Sequence, residues 1–392
     1  MTFKKLWAPL VLVLICSCTP PDITDPLVYA CDPEITLSNP EYPGHEQLQL
    51  LLNERVRKGV PGMMLTVKGP EGEWSGAAGK ADLEIERDLE ACQITRVGST
   101  VKTFTAVSVL LLQEDGKLDL DDPVSHYLPA EELKGLRNAE QATVRQLLQH
   151  SSGIYNYIVN LEFQTASLND LTRVWQPEEL LQYARDKPAN FPPGTDVAYS
   201  NTNYVLLGMI IEQVSGQPFY EFFEERLFLP FGLKFTQFAA IDPVPENIVH
   251  GYVDLYSKLN VIDATQYSGW DYFTADGGLI SNAFDLATFL QALFEGKILQ
   301  ASSLEEMMQW QLPKDSSDDL YDTAFGLGIF RMNTPYGPAY MHSGDAIGYY
   351  AAMFYFPSQQ LAVSWAVNGN YGKIDQFTQT AEAMDHLFKH IL

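Results

Sequence analysis

The segments with strand character lie at the two ends of this chain, and the long stretch between them reads as helix. Near the start, "PGMMLTVKGPEGEWSGAAG" has two apolar runs around the turn Gly69-Pro70-Glu71-Gly72. Near the end, "YYAAMFYFPSQQLAVSWAVN" repeats the pattern around Pro357-Ser358. Between them "ATVRQLLQH", "PEELLQYARD", "NYVLLGMIIEQVSG" and "AFDLATFLQALFEG" carry apolar residues at helical spacing. Leu48, Leu51, Leu52 and Val56 predict an amphipathic helix over 46–58, and Phe377, Ala381, Met384, Phe388 and Ile391 line one face of another at the end. Strand pairs so far apart suggest a split architecture. The expected fold class is α+β: an antiparallel sheet flanked by N- and C-terminal helices, with an inserted, mainly helical lobe. In numbers, one domain over 46–392 would have an α/β lobe at about 46–98 and 331–392 and a helical lobe at about 99–330. A cleft between two lobes is a favoured place for a ligand.

The first residues follow a different logic. "MTFKKLWAPLVLVLICSC" has Lys4 and Lys5, then an apolar run over 6–15. That run is shorter than the roughly 20 residues a bilayer needs, and it has the layout of a secretory signal. Ile15-Cys16-Ser17-Cys18 resembles a bacterial lipobox, which implies a leader over 1–17 and a lipid anchor on Cys18; ordinary signal cleavage is the alternative. The Pro- and Asp-rich stretch 18–45 suits a tether. The expectation is an exported lipoprotein on a periplasmic or cell-surface face, touching membrane only through its anchor. Cys31 and Cys92 then form an even pair in a compartment that permits disulfides, and both a bridge and two separate thiols remain open. With 25 basic and 50 acidic residues the net charge is −25, a field that repels nucleic acid.

Chemistry enters at "RVGSTVKTFTAVSVLLLQEDGKLDLDDP". Residues 104–112 read as a helix buried on most of its surface, with Gly116 as its stop, yet its first turn holds Ser99 and Lys102. Three apart on a helix, the hydroxyl and the amine share a face. A serine needs a base to become a nucleophile, and taking a lysine out of water lowers its pKa towards that work. The bland alternative makes Ser99 a helix cap and Lys102 a surface side chain, since Ser-x-x-Lys occurs by chance.

Two further elements favour the first reading. Tyr199-Ser200-Asn201 precedes a helix, and His342-Ser343-Gly344 ends a strand. In this order the three elements resemble the active-site triplet of the serine β-lactamase and penicillin-binding-protein superfamily, closest to class C β-lactamases, D-alanyl-D-alanine carboxypeptidases and related esterases. "GKLDLDDPVSHYLP", "TVRQLLQHSSGIYNY", "FPPGTDVAYSNTNY" and "DGGLISNAFDLATFL" also resemble segments of these proteins, so the likeness spans about 46–391. It implies that Ser99 is the acylated nucleophile, that Lys102 takes or relays its proton, and that Tyr199 passes a proton to the leaving group. Asn201 is expected to bond Lys102 and the substrate amide, or to cap the helix that starts there. His342 is expected to be neutral at pH 7 and to orient Tyr199, and Gly344 to let a substrate backbone lie along the strand edge. The backbone N–H groups of Ser99 and Asp345 would form the oxyanion hole. His150 in "LLQHSSG" is read as a structural residue of a turn.

The resemblance implies small peptide, β-lactam or ester substrates, peptidoglycan fragments among them, with no cofactor. No His-x-His or His-Glu-x-x-His spacing suggests a metal, and no Gly-x-Ser-x-Gly elbow suggests an α/β-hydrolase. No Glu-x-x-Leu-Asn occurs, so a class A type of penicillinase is not expected. The leading reading is an exported serine acyl hydrolase of the D,D-peptidase, carboxypeptidase or esterase kind. A class C type β-lactamase is the alternative within that chemistry. A catalytically silent lipoprotein that binds cell wall is the alternative outside it.

Overall fold

The computed structural model describes residues 31, 39–171, 173–238, 248–267, 274–314 and 323–392. The leader, Cys18 and most of the stretch read as a tether lie outside the described residues.

The strands are β1 (Gly62–Gly69), β2 (Gly72–Asp82), β3 (Arg87–Asp88), β4 (Thr95–Arg96), β5 (Gln237–Phe238), β6 (Tyr252–Val253), β7 (Ile262–Asp263) and β8 (Leu279–Ser281). They continue with β9 (Ala324–Phe325), β10 (Phe330–Thr334), β11 (Gly337–Ala346), β12 (Tyr349–Phe356), β13 (Leu361–Val367) and β14 (Gly369–Asn370). Eight of them form one sheet in the order β3-β2-β1-β13-β12-β11-β10-β9. Its seam is the antiparallel pairing of β1 with β13, Met63 opposite Val367 and Lys68 opposite Ala362. The two chain ends therefore build one sheet, as their strand character demands. Gly69 pairs with Gly72 across the first turn, and Phe356 with Leu361 across the second.

Every residue of β12 and of β13 is buried, which is why "YYAAMFYF" shows no polar alternation. One face of the sheet packs under the helices His45–Arg57 and Ala381–Ile391, through Leu48, Leu52, Trp365, Leu387 and Phe388. The other face joins the core of the helical lobe. Arg55, not Val56, is the buried residue in the last turn of the first helix; its Nη2 donates to the Ala383 carbonyl at 3.1 Å and so ties the two terminal helices together.

The helix Val101–Glu114 is buried from Val101 through Leu112, and it ends before Asp115 and Gly116, whose φ is 68°. Phe104 stacks on Phe289 of the helix Ala283–Phe294, with ring centroids 3.7 Å apart. That second helix lies on the sheet, and the Ser364 hydroxyl bonds to the carbonyl of Ala283 at its start. The root of the first helix is thus locked to the sheet through a stacked aromatic pair. Two small sheets, β4-β8-β5 and β14-β6-β7, are also present among the described residues.

Cys31 and Cys92 are joined in a disulfide, Cα atoms 5.1 Å apart, which decides between the two alternatives the sequence left open. It pins part of the stretch 18–45 to the loop ahead of β4. A crosslink between residues 61 apart in sequence removes unfolded-state freedom. Replacing Cys31 with Ser is expected to lower the unfolding free energy by about 2–4 kcal/mol in guanidinium titrations. Superimposable curves for oxidised wild type and variant would remove the bridge from this account.

Candidate active site

The site forms where the Ser99 turn, the Tyr199 loop and β11 meet. After β4 the chain turns through a short 3-10 helix, Gly98–Thr100, and enters the Lys102 helix directly. Thr100, not Ser99, occupies the cap position and makes no side-chain cap bond. Ser99 is half-buried and Lys102 is fully buried, so the bland alternative of a capping serine and a surface lysine is not what the chain does. Lys102 Nζ donates to Ser99 Oγ at 2.8 Å and to the backbone carbonyl of Asp276. It also sits 5.2 Å from the centroid of the Tyr199 ring and 5.7 Å from that of Tyr204.

Tyr199 stands next to the Ser99–Lys102 pair, its ring beside the Lys102 amine. Burial raises the Tyr199 phenol far above its ordinary value; the nearby Ser99 hydroxyl opposes this, and the charges of Asp276 and Asp345 add to it. Tyr199 is therefore a neutral phenol at physiological pH, able to pass a proton but not to act as a standing base.

Its position is set by His150, which the sequence marked as structural. His150 has a φ of 57°, its carbonyl accepts from Ala198 N–H at 3.0 Å, and its Nδ1 accepts from Ser200 N–H at 3.1 Å. Its ring lies 4.4 Å from that of Tyr199. The residues on both sides of Tyr199 are thus held by one imidazole residue. Burial, the Lys102 charge and His342 push His150 well below its usual pKa.

Asn201 opens the helix Asn201–Ser215, whose cap is Ser200, so the capping alternative for Asn201 is not realised. Its side-chain amide donates to Asn156 Oδ1 at 3.3 Å, and its backbone N–H donates to the same oxygen at 3.1 Å. Asn156 is an anchor the sequence reading missed.

His342 lies on β11, 2% exposed, its ring 6.4 Å from Tyr199 and 5.0 Å from Phe330. Its Nδ1 donates to the Ser343 carbonyl at 2.7 Å, which leaves Nε2 as a buried acceptor with no partner. Burial and the neighbouring Lys102 charge lower its pKa to about 3. A neutral imidazole was expected here, and the cause is desolvation beside a cation.

Gly344 has a steric duty beyond the one expected from sequence. A Cβ on it would lie 2.1 Å from the Val97 carbonyl oxygen and 2.5 Å from Ser99 N. A Cβ on Gly98, whose φ is 48°, would lie 2.5 Å from the Asp345 carbonyl oxygen and 2.9 Å from Asp345 N. Two glycines facing each other thus let the Ser99 turn and β11 touch backbone to backbone. The N–H groups of Ser99 and Asp345 are brought together by that approach. The Asp345 side chain accepts from Gln379 Nε2 at 3.3 Å; loss of hydration and the nearby Asp375 carboxylate push its pKa up to about 6.

Asp276 is the second residue that sequence reading passed over. It opens "DGGLISNAFDLATFL", and only its place behind Lys102, invisible in one dimension, distinguishes it from other acidic residues. Chemically, the arrangement offers a hydroxyl flanked by an amine and a phenol, facing a pair of backbone donors. That is the equipment of acyl transfer through a serine.

Comparison with known proteins agrees with this class. A beta-lactamase family profile matches residues 48–385. Penicillin-binding protein 4* of Bacillus subtilis is 29% identical over 346 residues, 84% of this chain and 72% of that one. The solved structure of a D-stereospecific amidohydrolase from Streptomyces sp. is 31% identical with a TM-score of 0.72, covering 86% of this chain and 100% of that one. A D-amino acid amidase from Ochrobactrum anthropi SV3, solved with L-phenylalanine amide, is 27% identical with a TM-score of 0.78, covering 89% and 98%. The chain belongs to the beta-lactamase family, within the serine β-lactamase and penicillin-binding-protein superfamily, whose members are serine hydrolases.

The glycine contact yields a test. Gly344→Ala forces the Ser99 turn and β11 apart, and displacements of this kind typically cost about a hundredfold in rate. A fluorophosphonate probe should label the variant at least about a hundredfold more slowly than wild type. Wild-type labelling kinetics in a folded variant would show that the close approach is dispensable.

Proposed function

We propose that this protein is an exported serine acyl hydrolase that works through an acyl-Ser99 intermediate. The observation that carries the reading is the 2.8 Å contact between the Ser99 hydroxyl and a Lys102 amine held fully out of water. Ser99 Oγ attacks the substrate carbonyl while its proton passes to Lys102. The oxyanion is received by the N–H groups of Ser99 and Asp345, each such donor typically worth about 3 kcal/mol. Tyr199 hands a proton to the departing nitrogen or oxygen and takes one from Lys102 in return. Water then enters by the reverse route and releases the acid. Asn201, fixed by Asn156, and the edge of β11 near Gly344 would hold the substrate.

For substrate, the features favour amides, esters or peptides of D-amino acids whose leaving side carries no carboxylate. His342 stands neutral where a fixed cation would be needed to hold one, and the chain's net charge of −25 repels anions. The similarity to a D-amino acid amidase and to a D-stereospecific amidohydrolase supports this over carboxypeptidase or class C β-lactamase activity. Export is supported by the leader's layout and by the Cys31–Cys92 bridge, which suits an oxidising compartment; lipidation at Cys18 belongs to the same proposal. No helix among the described residues is long and apolar enough to cross a membrane. A silent wall-binding role is disfavoured, since it gives no reason to bury an amine against a hydroxyl.

A panel of D-phenylalaninamide, D-alanyl-D-alanine, a cephalosporin and short-chain esters ranks these options by kcat/KM, with D-phenylalaninamide or an ester expected first. Ser99→Ala should lower turnover by at least about a thousandfold and abolish fluorophosphonate labelling. Unlabelled wild type would favour the silent reading. His342→Lys should improve D-alanyl-D-alanine relative to D-phenylalaninamide by roughly tenfold, the worth of one charge-assisted hydrogen bond. An unchanged ratio would dismiss the role given to the neutral imidazole.

A further inference from the structure

Acyl transfer as outlined leaves one buried carboxylate without a task. Asp276 is 2% exposed and sits on the loop that enters β8. Its main chain is pinned to the Lys102 helix twice. Lys102 donates to the Asp276 carbonyl, and Thr105 Oγ1, one turn further on, donates to the Ala275 carbonyl at 2.7 Å. In the carboxylate, Oδ2 accepts from the Tyr157 hydroxyl at 2.8 Å, and the neighbouring Thr274 hydroxyl also favours its charged form. Tyr157 is buried too, and its backbone N–H donates at 3.0 Å to Thr202 Oγ1, in the first turn of the Asn201 helix. Asp276 therefore links the helix that carries Lys102, through its backbone, to the segment that carries Tyr199, through its carboxylate and Tyr157.

A buried carboxylate is costly unless a charge answers it. The titratable groups around this centre are Lys102, His150, His342, Tyr157, Tyr199 and Tyr204, with Asp345 on the β11 side. The two imidazoles are held neutral, His342 at about 3 and His150 well below its ordinary value, and the Tyr199 and Tyr204 phenols are pushed upward. Burial raises the Asp276 carboxyl, and the Lys102 charge is the largest influence opposing that rise. Asp276 and Lys102 are thus the two groups here between which one proton can be shared.

We propose that Asp276, oriented by Tyr157, is a positioning residue for acyl transfer: it supplies the counter-charge that sets how readily Lys102 takes and keeps the proton of Ser99. The inference rests on the acyl-transfer reading of Ser99. As the Ser99 Oγ–carbon bond forms, the Oγ–H bond breaks and its proton completes a Lys102 ammonium opposite the Asp276 carboxylate. When the leaving group departs with a proton from Tyr199, Lys102 returns one to the phenol and is an amine again. Proton count and charge close over each half-reaction.

The sign of the test follows from linkage. An anion beside Lys102 favours its ammonium form, so removing the anion lets Lys102 lose its proton at lower pH. The rate of fluorophosphonate labelling, followed from pH 5 to 10, reads the Lys102 proton without needing a known substrate. In Asp276→Asn the rising limb should move down by about one pH unit or more, and the plateau should fall about tenfold because the ammonium formed in the reaction has lost its counter-charge. Tyr157→Phe leaves the carboxylate one donor short and should shift the limb the same way by less; it carries the test if Asp276→Asn does not fold. A lowered plateau with the limb unmoved in either folded variant marks a merely structural role and overturns the proposal. Failure to label wild type at any pH would instead defeat the acyl-transfer reading itself.

Discussion

Everything in this molecule that bears on chemistry is arranged around an amine kept from water. Lys102 enters the first turn of a helix whose next ten residues are all buried, and its acceptors include the Ser99 hydroxyl and a backbone carbonyl. An isolated ammonium in such a place would cost several kcal/mol. The fold tolerates it because each neighbour is held from outside the helix: the carbonyl by the loop before β8, the hydroxyl by the turn after β4. Those two strands pair with each other, Arg96 opposite Ile280, so nucleophile and acceptor share one support. Phe104, stacked on Phe289, then stops the helix from sliding along the sheet.

A second constraint is the lack of any second cation among the imidazoles around that amine. Both imidazoles near it are neutral because they are buried beside a cation, and each is oriented by backbone: His342 through the Ser343 carbonyl, His150 through Ser200 N–H. In a water-poor site, fixed dipoles act more strongly than in solvent and need no reorganisation as charge develops. The surface has the opposite character, with a strong net negative charge.

The parts legible in the sequence were those with a short period. Ser99 and Lys102 meet because three residues make nearly one helical turn, and the apolar runs at either end announced the strands of a common sheet. Supports acting across the chain were not legible. Asp276 meets Lys102 from 174 residues away, and Asn156 meets Asn201 from 45 away, each as one acidic or amide residue among many. The disulfide had the same difficulty: two thiols 61 residues apart carry no sign of proximity. Arg55 misled for another reason. Its spacing, three from Leu52 and four from Leu51, puts it on the apolar stripe, but its charge set it aside; a long side chain can bury its stem and reach the carbonyl of Ala383.

The position of the cleft follows from where pairing stops. β10 runs alongside β11 from Phe330 opposite Met341 to Thr334 opposite Gly337, while β12 pairs with β11 as far as Ala346. Residues 342–346 therefore extend past the end of β10, and the Val97–Ser99 turn closes on this extension, admitted by Gly98 and Gly344. Phe330 is the last residue of β10 on that side, and its ring packs towards His342, Tyr199 and His150, so the end of one strand also borders the site. A longer β10 would pair with this edge and cover the ground where a substrate backbone has to lie. The short strand and the two facing glycines are thus one device: they turn a sheet edge, ordinarily a liability, into a surface that presents backbone donors to a carbonyl beside the nucleophile.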